Sequence, residues 1–192
     1  NIITFILLLN TFVFGYIINP LDGDELNYIH ILFEWEQEPD AIGYNLQVSN
    51  SAVFSNILLD VHETTTVYID KDNINWNDNY YWRVRPMLNC DGCEYGDWID
   101  QSSFSTGGIS FQNIDVDIYE EELLEDGYVA ISGFAPGLAS VIIDQYGDEI
   151  WNDGNFEFIL NRINENGNMF GYSTINYPMN TGMKANTDMD VV

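Results

Sequence analysis

Positive charge is nearly absent from this sequence: five Lys and Arg stand against 31 Asp and Glu in 192 residues, a formal net charge of -26. Such a surplus repels phosphate backbones and anionic headgroups, which argues against nucleic acid as a partner. Histidine and cysteine are scarcer still, with two of each. Neither His30 nor His62 has a Ser or Cys placed near it as a nucleophile, so the sequence spells no catalytic triad. No stretch between residues 19 and 106 keeps a helical period. The chain also lacks an initiating Met and ends at Asp190-Val191-Val192 without a polar tail, which reads as a fragment of a longer reading frame. Aromatic side chains are the counterweight. At 15% of the residues they are too many for an acidic disordered tail, so the charge belongs on a folded surface.

One long apolar run exists, from Ile2 to Ile18, with no charged residue before Asp22. It has the character of a signal-peptide core, and Val13-Phe14-Gly15 suits cleavage near Gly15. The competing reading is a membrane anchor, for which the run sits at the short edge of what spans a bilayer. Export places the protein in the periplasm or outside the cell. There the two cysteines of Cys90-Asp91-Gly92-Cys93 suit a small loop disulfide, with free thiols as the other reading. A redox role would need a helix start after the motif, whereas Tyr95-Gly96-Asp97-Trp98 reads as a turn into a strand; zinc would need a second ligand pair. Asp70-Lys71-Asp72-Asn73-Ile74-Asn75 looks calcium-like, but Ile74 occupies an oxygen position and no Gly follows, so a plain loop is expected.

After Pro20 apolar and polar residues alternate between closely spaced turns, the pattern of strands in an all-β domain. Ile29, Ile31, Phe33 and Trp35 form one buried face, and Tyr44, Leu46 and Val48 another. Further strands are expected over 57–61, 65–69, 80–86 and 98–104. The stretches Phe33-Glu34-Trp35, Tyr44-Asn45-Leu46-Gln47-Val48-Ser49, Tyr80-Tyr81-Trp82-Arg83-Val84-Arg85-Pro86 and Gly96-Asp97-Trp98 leading to Phe104 resemble a fibronectin type III domain. That resemblance implies a β-sandwich over 19–106, with Trp35 in the core between two sheets.

Residues 107–126 form an acidic linker, and a second rhythm of strands and turns begins at 127. Strands are expected at 128–134, 139–144, 149–151 and 158–163. The turn Asp144-Gln145-Tyr146-Gly147 returns as Asn164-Glu165-Asn166-Gly167, with Asx to cap the turn and Gly to tolerate positive φ. Hairpins repeated in this way are what a β-propeller blade requires. From Asp126-Gly127-Tyr128-Val129, through Ala139-Ser140-Val141-Ile142-Ile143-Asp144-Gln145-Tyr146-Gly147-Asp148-Glu149-Ile150-Trp151 and Asn164-Glu165-Asn166-Gly167-Asn168, to the closing Asp188-Met189-Asp190-Val191-Val192, the chain resembles the bacterial arylsulfotransferases.

The expected architecture is therefore all-β: a signal peptide over 1–18, the sandwich, the linker, and the first blade or blades of a propeller over 127–192. The resemblance implies transfer of a sulfuryl group between phenols through a channel histidine. No histidine follows His62, so that nucleophile has no match here and no catalytic, cofactor or metal residue is carried over. Arg162 and Lys184 are the only cations after the linker. Phenolic sulfate esters and phenols are the expected substrates of the full-length protein, with no cofactor and no stable membrane span after cleavage. The rival expectation, from a different class, is a noncatalytic extracellular protein in which the same modules bind or adhere.

Overall fold

A computed structural model of the chain describes residues 16–90, 93–110, 127–133, 139–154, 157–164 and 168–173. The apolar residues 1–15, the acidic stretch 111–126, Lys184 and the closing 188–192 lie outside the described residues. What is described is all-β, with several sheets and none closed. It contains no helix, and hence none long and apolar enough to cross a membrane.

Among the described residues, nine strands precede residue 107: β1 (Ile17–Asn19), β2 (Asp24–Leu26), β3 (Ile31–Trp35), β4 (Ala41–Ser49), β5 (Ile57–Glu63), β6 (Val67–Asp70), β7 (Asn79–Cys90), β8 (Cys93–Tyr95) and β9 (Asp100–Thr106). They form two sheets. One has the order β1-β3-β6, and the other follows β2-β9-β7-β4-β5, with β8 paired to β7. The pairs are antiparallel except for β2, which lies parallel to β9.

Period-two alternation explains how the sheets meet. In β3 it turns Ile31, Phe33 and Trp35 inward, and in β7 it turns Tyr80, Trp82 and Val84 inward. Phe33 of the first sheet meets Trp82 and Phe104 of the second edge to face, at ring centroid separations of 5.1 and 6.0 Å. Tyr80 stacks on Phe104 at 5.2 Å. Trp35 is 1% exposed and packs edge to face on Tyr44 at 5.4 Å.

The fold begins earlier than the sequence boundary placed it. Ile17 is buried and pairs with Trp35, and Tyr16 O accepts a hydrogen bond from Glu36 N. A signal peptide cut after Gly15 leaves β1 intact, whereas one reaching residue 18 removes most of it. The strand expected from Ile29 starts instead at Ile31. The reason lies in the second half of the molecule.

Five strands follow residue 127 among the described residues: β10 (Val129–Gly133), β11 (Ala139–Ile143), β12 (Glu149–Asn152), β13 (Phe158–Ile163) and β14 (Met169–Ser173). They make an antiparallel β10-β11-β12 sheet and an antiparallel β13-β14 hairpin. Ile142, Ile150, Trp151, Phe158, Leu160 and Met169 form their common core. Serine hydroxyls join the two sheets: Ser140 Oγ donates to Phe158 O at 2.6 Å and accepts from Leu160 N at 2.8 Å, while Ser132 Oγ donates to Leu160 O at 3.0 Å. Asp153 adds a buried carboxylate that accepts from Phe158 N at 2.6 Å. Burial pushes that carboxyl above its ordinary pKa, against the backbone N–H groups that favour its charged form.

The outer edge of β12 is covered by the segment between β2 and β3. Tyr28 bridges Trp151 in antiparallel sense, Ile29 N donates to Ile150 O at 3.0 Å, and Asn152 N donates to Asn27 O at 3.0 Å. Asn27 Nδ2 also bonds Asn152 O. Trp76 Nε1 reaches Glu149 O at 2.7 Å, and Asn152 Nδ2 reaches Gly108 O at 2.9 Å. Tyr28 and Ile29 pack against both hydrophobic cores. Residues 27–29 thus serve the later sheet as a short fourth strand, which satisfies an edge that would otherwise stand open. The two halves share a wall.

Candidate functional site

Among the described residues, a cluster of cationic, aromatic and imidazole side chains lies on the outer face of the β4-β5-β7 sheet. Because β7 alternates, the residues between the buried Trp82, Val84 and Pro86 point outward, and these are Arg83 and Arg85. They are two of the five cations in the chain. Arg83 lies between two rings, its guanidinium 3.9 Å from the centroid of Phe54 and 4.0 Å from that of Trp98. Arg85 lies 4.4 Å from Trp98 and 4.0 Å from Tyr95. The order Phe54, Arg83, Trp98, Arg85, Tyr95 is a ladder of alternating rings and guanidinium planes. His62 of β5 ends it, with Nε2 2.9 Å from the Tyr95 hydroxyl.

Three separate segments deliver these rungs. Phe54 comes from the β4–β5 connection, where its φ of 53° is uncommon for a side chain of its size. Tyr95 ends β8 and Trp98 lies just before β9, in a stretch tied back to β7 by Gly96 N to Pro86 O at 2.9 Å and Ile99 N to Val84 O at 2.8 Å. The arginines come from β7 itself.

The guanidinium hydrogen bonds go to neutral partners. Gln47 Oε1 accepts from Arg83 Nη2 at 2.7 Å and from Nε at 3.1 Å. Asn45 Oδ1 accepts from Arg85 Nε at 3.0 Å. The amide nitrogens of the same two residues are held by one carboxylate, Asp60, at 2.6 Å from Asn45 and 2.9 Å from Gln47. Asp60 therefore orients the amides, and the amides orient the arginines. Burial and the neighbouring Arg85 charge lower the Arg83 pKa, while Asp60 opposes them.

The other residues singled out by sequence fall elsewhere. His30 is half-buried just before β3, its ring 5.7 Å from that of Tyr128, whose hydroxyl also accepts from Lys71 Nζ at 3.3 Å. Burial first, then Lys71, push the His30 pKa down, against Asp144, Asp72 and Asp70. Arg162 is exposed on β13. Asp70, the last residue of β6, accepts from Asn73 in the loop that follows, N at 3.0 Å and Nδ2 at 2.7 Å, so that carboxylate closes a turn. Among the described residues no group of three or more His, Cys, Asp or Glu is arranged to hold a metal ion. Cys90 and Cys93 are cross-strand Cα partners at the β7–β8 junction; their side chains lie outside the described residues.

In the sequence Arg83, Arg85 and Trp98 belong to a sandwich pattern, and nothing local joins them. The available signal was the outward Arg-x-Arg on a strand followed by outward aromatics. Comparison with protein families, with curated proteins and with solved structures finds no match for this chain.

Proposed function

We propose that this chain is the N-terminal part of an exported arylsulfotransferase-like enzyme: a fibronectin type III-like sandwich over 19–106, an acidic linker over 107–126, and the opening of a β-propeller from 127. In this reading the protein is periplasmic or extracellular. Sulfate passes between phenols through a histidine outside this sequence, in the channel where the blades converge.

The observation that carries the reading is a repeated turn. Asp144 N donates to Asp148 O at 3.0 Å, and Asp148 N returns to Asp144 Oδ1 at 2.9 Å. Twenty residues on, Asn164 N donates to Asn168 O at 3.0 Å, and Asn168 N returns to Asn164 Oδ1 at 2.9 Å. The same two bonds follow the strands β11 and β13, which face each other through Ser140. Repetition of one hairpin unit, of the kind from which a propeller blade is built, accounts for this recurrence. The two facing sheets before the linker, sharing one aromatic core, support the sandwich.

The test is sulfate transfer from 4-nitrophenyl sulfate to phenol, run on protein carrying its downstream sequence and on this chain alone. Turnover is expected from the longer protein only. Turnover by this chain, abolished by His30→Ala or His62→Ala, would overturn both the boundary and the mechanism. A second reading, a noncatalytic extracellular binding protein, draws on the arginine and aromatic ladder. It is selected if the longer protein transfers nothing from several phenolic esters.

A further inference from the structure

The ladder has a feature that a clamp for the 95–98 segment does not need. In a chain with 31 carboxylate residues, two neighbouring guanidinium groups take amide oxygens as their hydrogen-bond partners. Among the described residues, the carboxylate that joins the network, Asp60, is spent on the amide nitrogens. Ring stacking covers the faces of both guanidinium planes, so only their edges can meet another group. Among the described residues, Arg83 Nη1 and both Nη atoms of Arg85 have no hydrogen-bond partner.

A guanidinium edge is a planar fork of donors that matches an oxyanion with two oxygens. Alternation puts the two forks on the same face of β7, one on either side of the Trp98 ring, whose centroid lies 4.0 Å from the Arg83 guanidinium and 4.4 Å from that of Arg85. The neighbouring rings offer apolar edges on either side. The net charge of -26 then sets the charge of the ligand, because each further negative charge adds long-range repulsion.

We infer that the Arg83–Trp98–Arg85 ladder is a binding site for a small ligand bearing a single monoanionic oxyanion, a sulfate monoester or a carboxylate, on an aromatic or sugar ring. The oxyanion meets the free guanidinium edges, and the ring of the ligand lies along Tyr95, Trp98 or Phe54. The inference stands under either reading of the whole protein.

The experiment is a titration of the full chain followed by the arginine Nε–Hε resonances, at constant ionic strength. The probes are 4-nitrophenyl sulfate, benzoate, glucose 6-sulfate, inorganic sulfate, 4-nitrophenol and chloride. Saturable shifts at Arg83 and Arg85 are expected with the ring-bearing monoanions. The dianion inorganic sulfate should bind more weakly, and 4-nitrophenol and chloride should leave the signals in place. Comparison of 4-nitrophenyl sulfate, benzoate and glucose 6-sulfate separates sulfate from carboxylate and aryl from sugar. Arg85→Gln should weaken binding about tenfold or more. The Arg83→Lys/Arg85→Lys variant keeps both charges, loses the planar forks and should also bind more weakly. Equal response to chloride, no saturable shift with any monoanion, or unchanged affinity in the lysine variant would overturn the inference and leave the ladder as a clamp.

Discussion

Two buried tryptophans offer a direct test of the core, because they differ in one respect. Trp35 and Trp82 are 1% and 0% exposed, on facing sheets. Trp82 Nε1 donates to Pro20 O at 3.2 Å, whereas Trp35 Nε1 is buried with no hydrogen-bond partner. Replacing each by Phe removes about a third of the side chain, or about 1–2 kcal/mol on a scale where full truncation costs about 3–5. In Trp82→Phe the lost hydrogen bond adds about 0.5–1.5 kcal/mol, and Pro20 O keeps its bond from Ser102 Oγ at 3.0 Å. In Trp35→Phe there is no bond to lose, and deleting an unpaired buried donor returns about 1–3 kcal/mol. The expected order is Trp35→Phe near neutral and Trp82→Phe about 2–3 kcal/mol destabilised. Urea unfolding followed by far-UV circular dichroism reads both, since the signal does not depend on the altered indole. Equal m-values make the midpoints comparable. A Trp35→Phe cost equal to or larger than that of Trp82→Phe would refute the reasoning and place a partner on that N–H.

The shared wall predicts that both halves unfold together, and that Asn152→Ala costs about 2–3 kcal/mol, because its side chain bonds Gly108 O, Glu149 Oε1 and Gly154 N. A biphasic wild-type urea curve, the first phase unaffected by the change, would contradict that coupling. His30 titrates below its ordinary value in the fold, so the folded state prefers the neutral ring, and its contribution is lost as pH falls below about 6.5 towards the lowered value. His30→Gln should remove that step; a wild-type minus variant stability difference that stays flat between about pH 7 and 5 tells against it. Gly171→Ala should destabilise the β13–β14 hairpin by more than about 1 kcal/mol, because a Cβ there would run into Ile159 O and the Phe158 ring. An unchanged urea midpoint would show that the hairpin has room to move.

Much of the fold was legible in the chain. Alternation in β3, β4 and β7 is a local property of neighbouring residues, so the buried faces of Phe33, Leu46 and Trp82 could be read before any partner was known. The repeated turn was equally local: Asp144 and Asn164 each bond a residue four positions on. Strand ends were less legible. Ile29 continues the alternation of β3, yet residues 27–29 leave that strand to cover β12, because an open edge far along the chain offers backbone partners that β6 does not.

The candidate site was the least legible part, for the same reason at the level of side chains. The sequence by itself determined that the chain is acidic, all-β, aromatic-cored and built on hairpins, since charge, alternation and turn chemistry are set within a few residues. Only the tertiary structure decided that Phe54, Trp98 and Tyr95 would converge on Arg83 and Arg85. It alone placed Asp60 behind the amides that aim both cations. Those groups come from different strands and connections. Their meeting depends on the β4-β5 and β4-β7 registers, which are set by burying the opposite face of the sheet in the core.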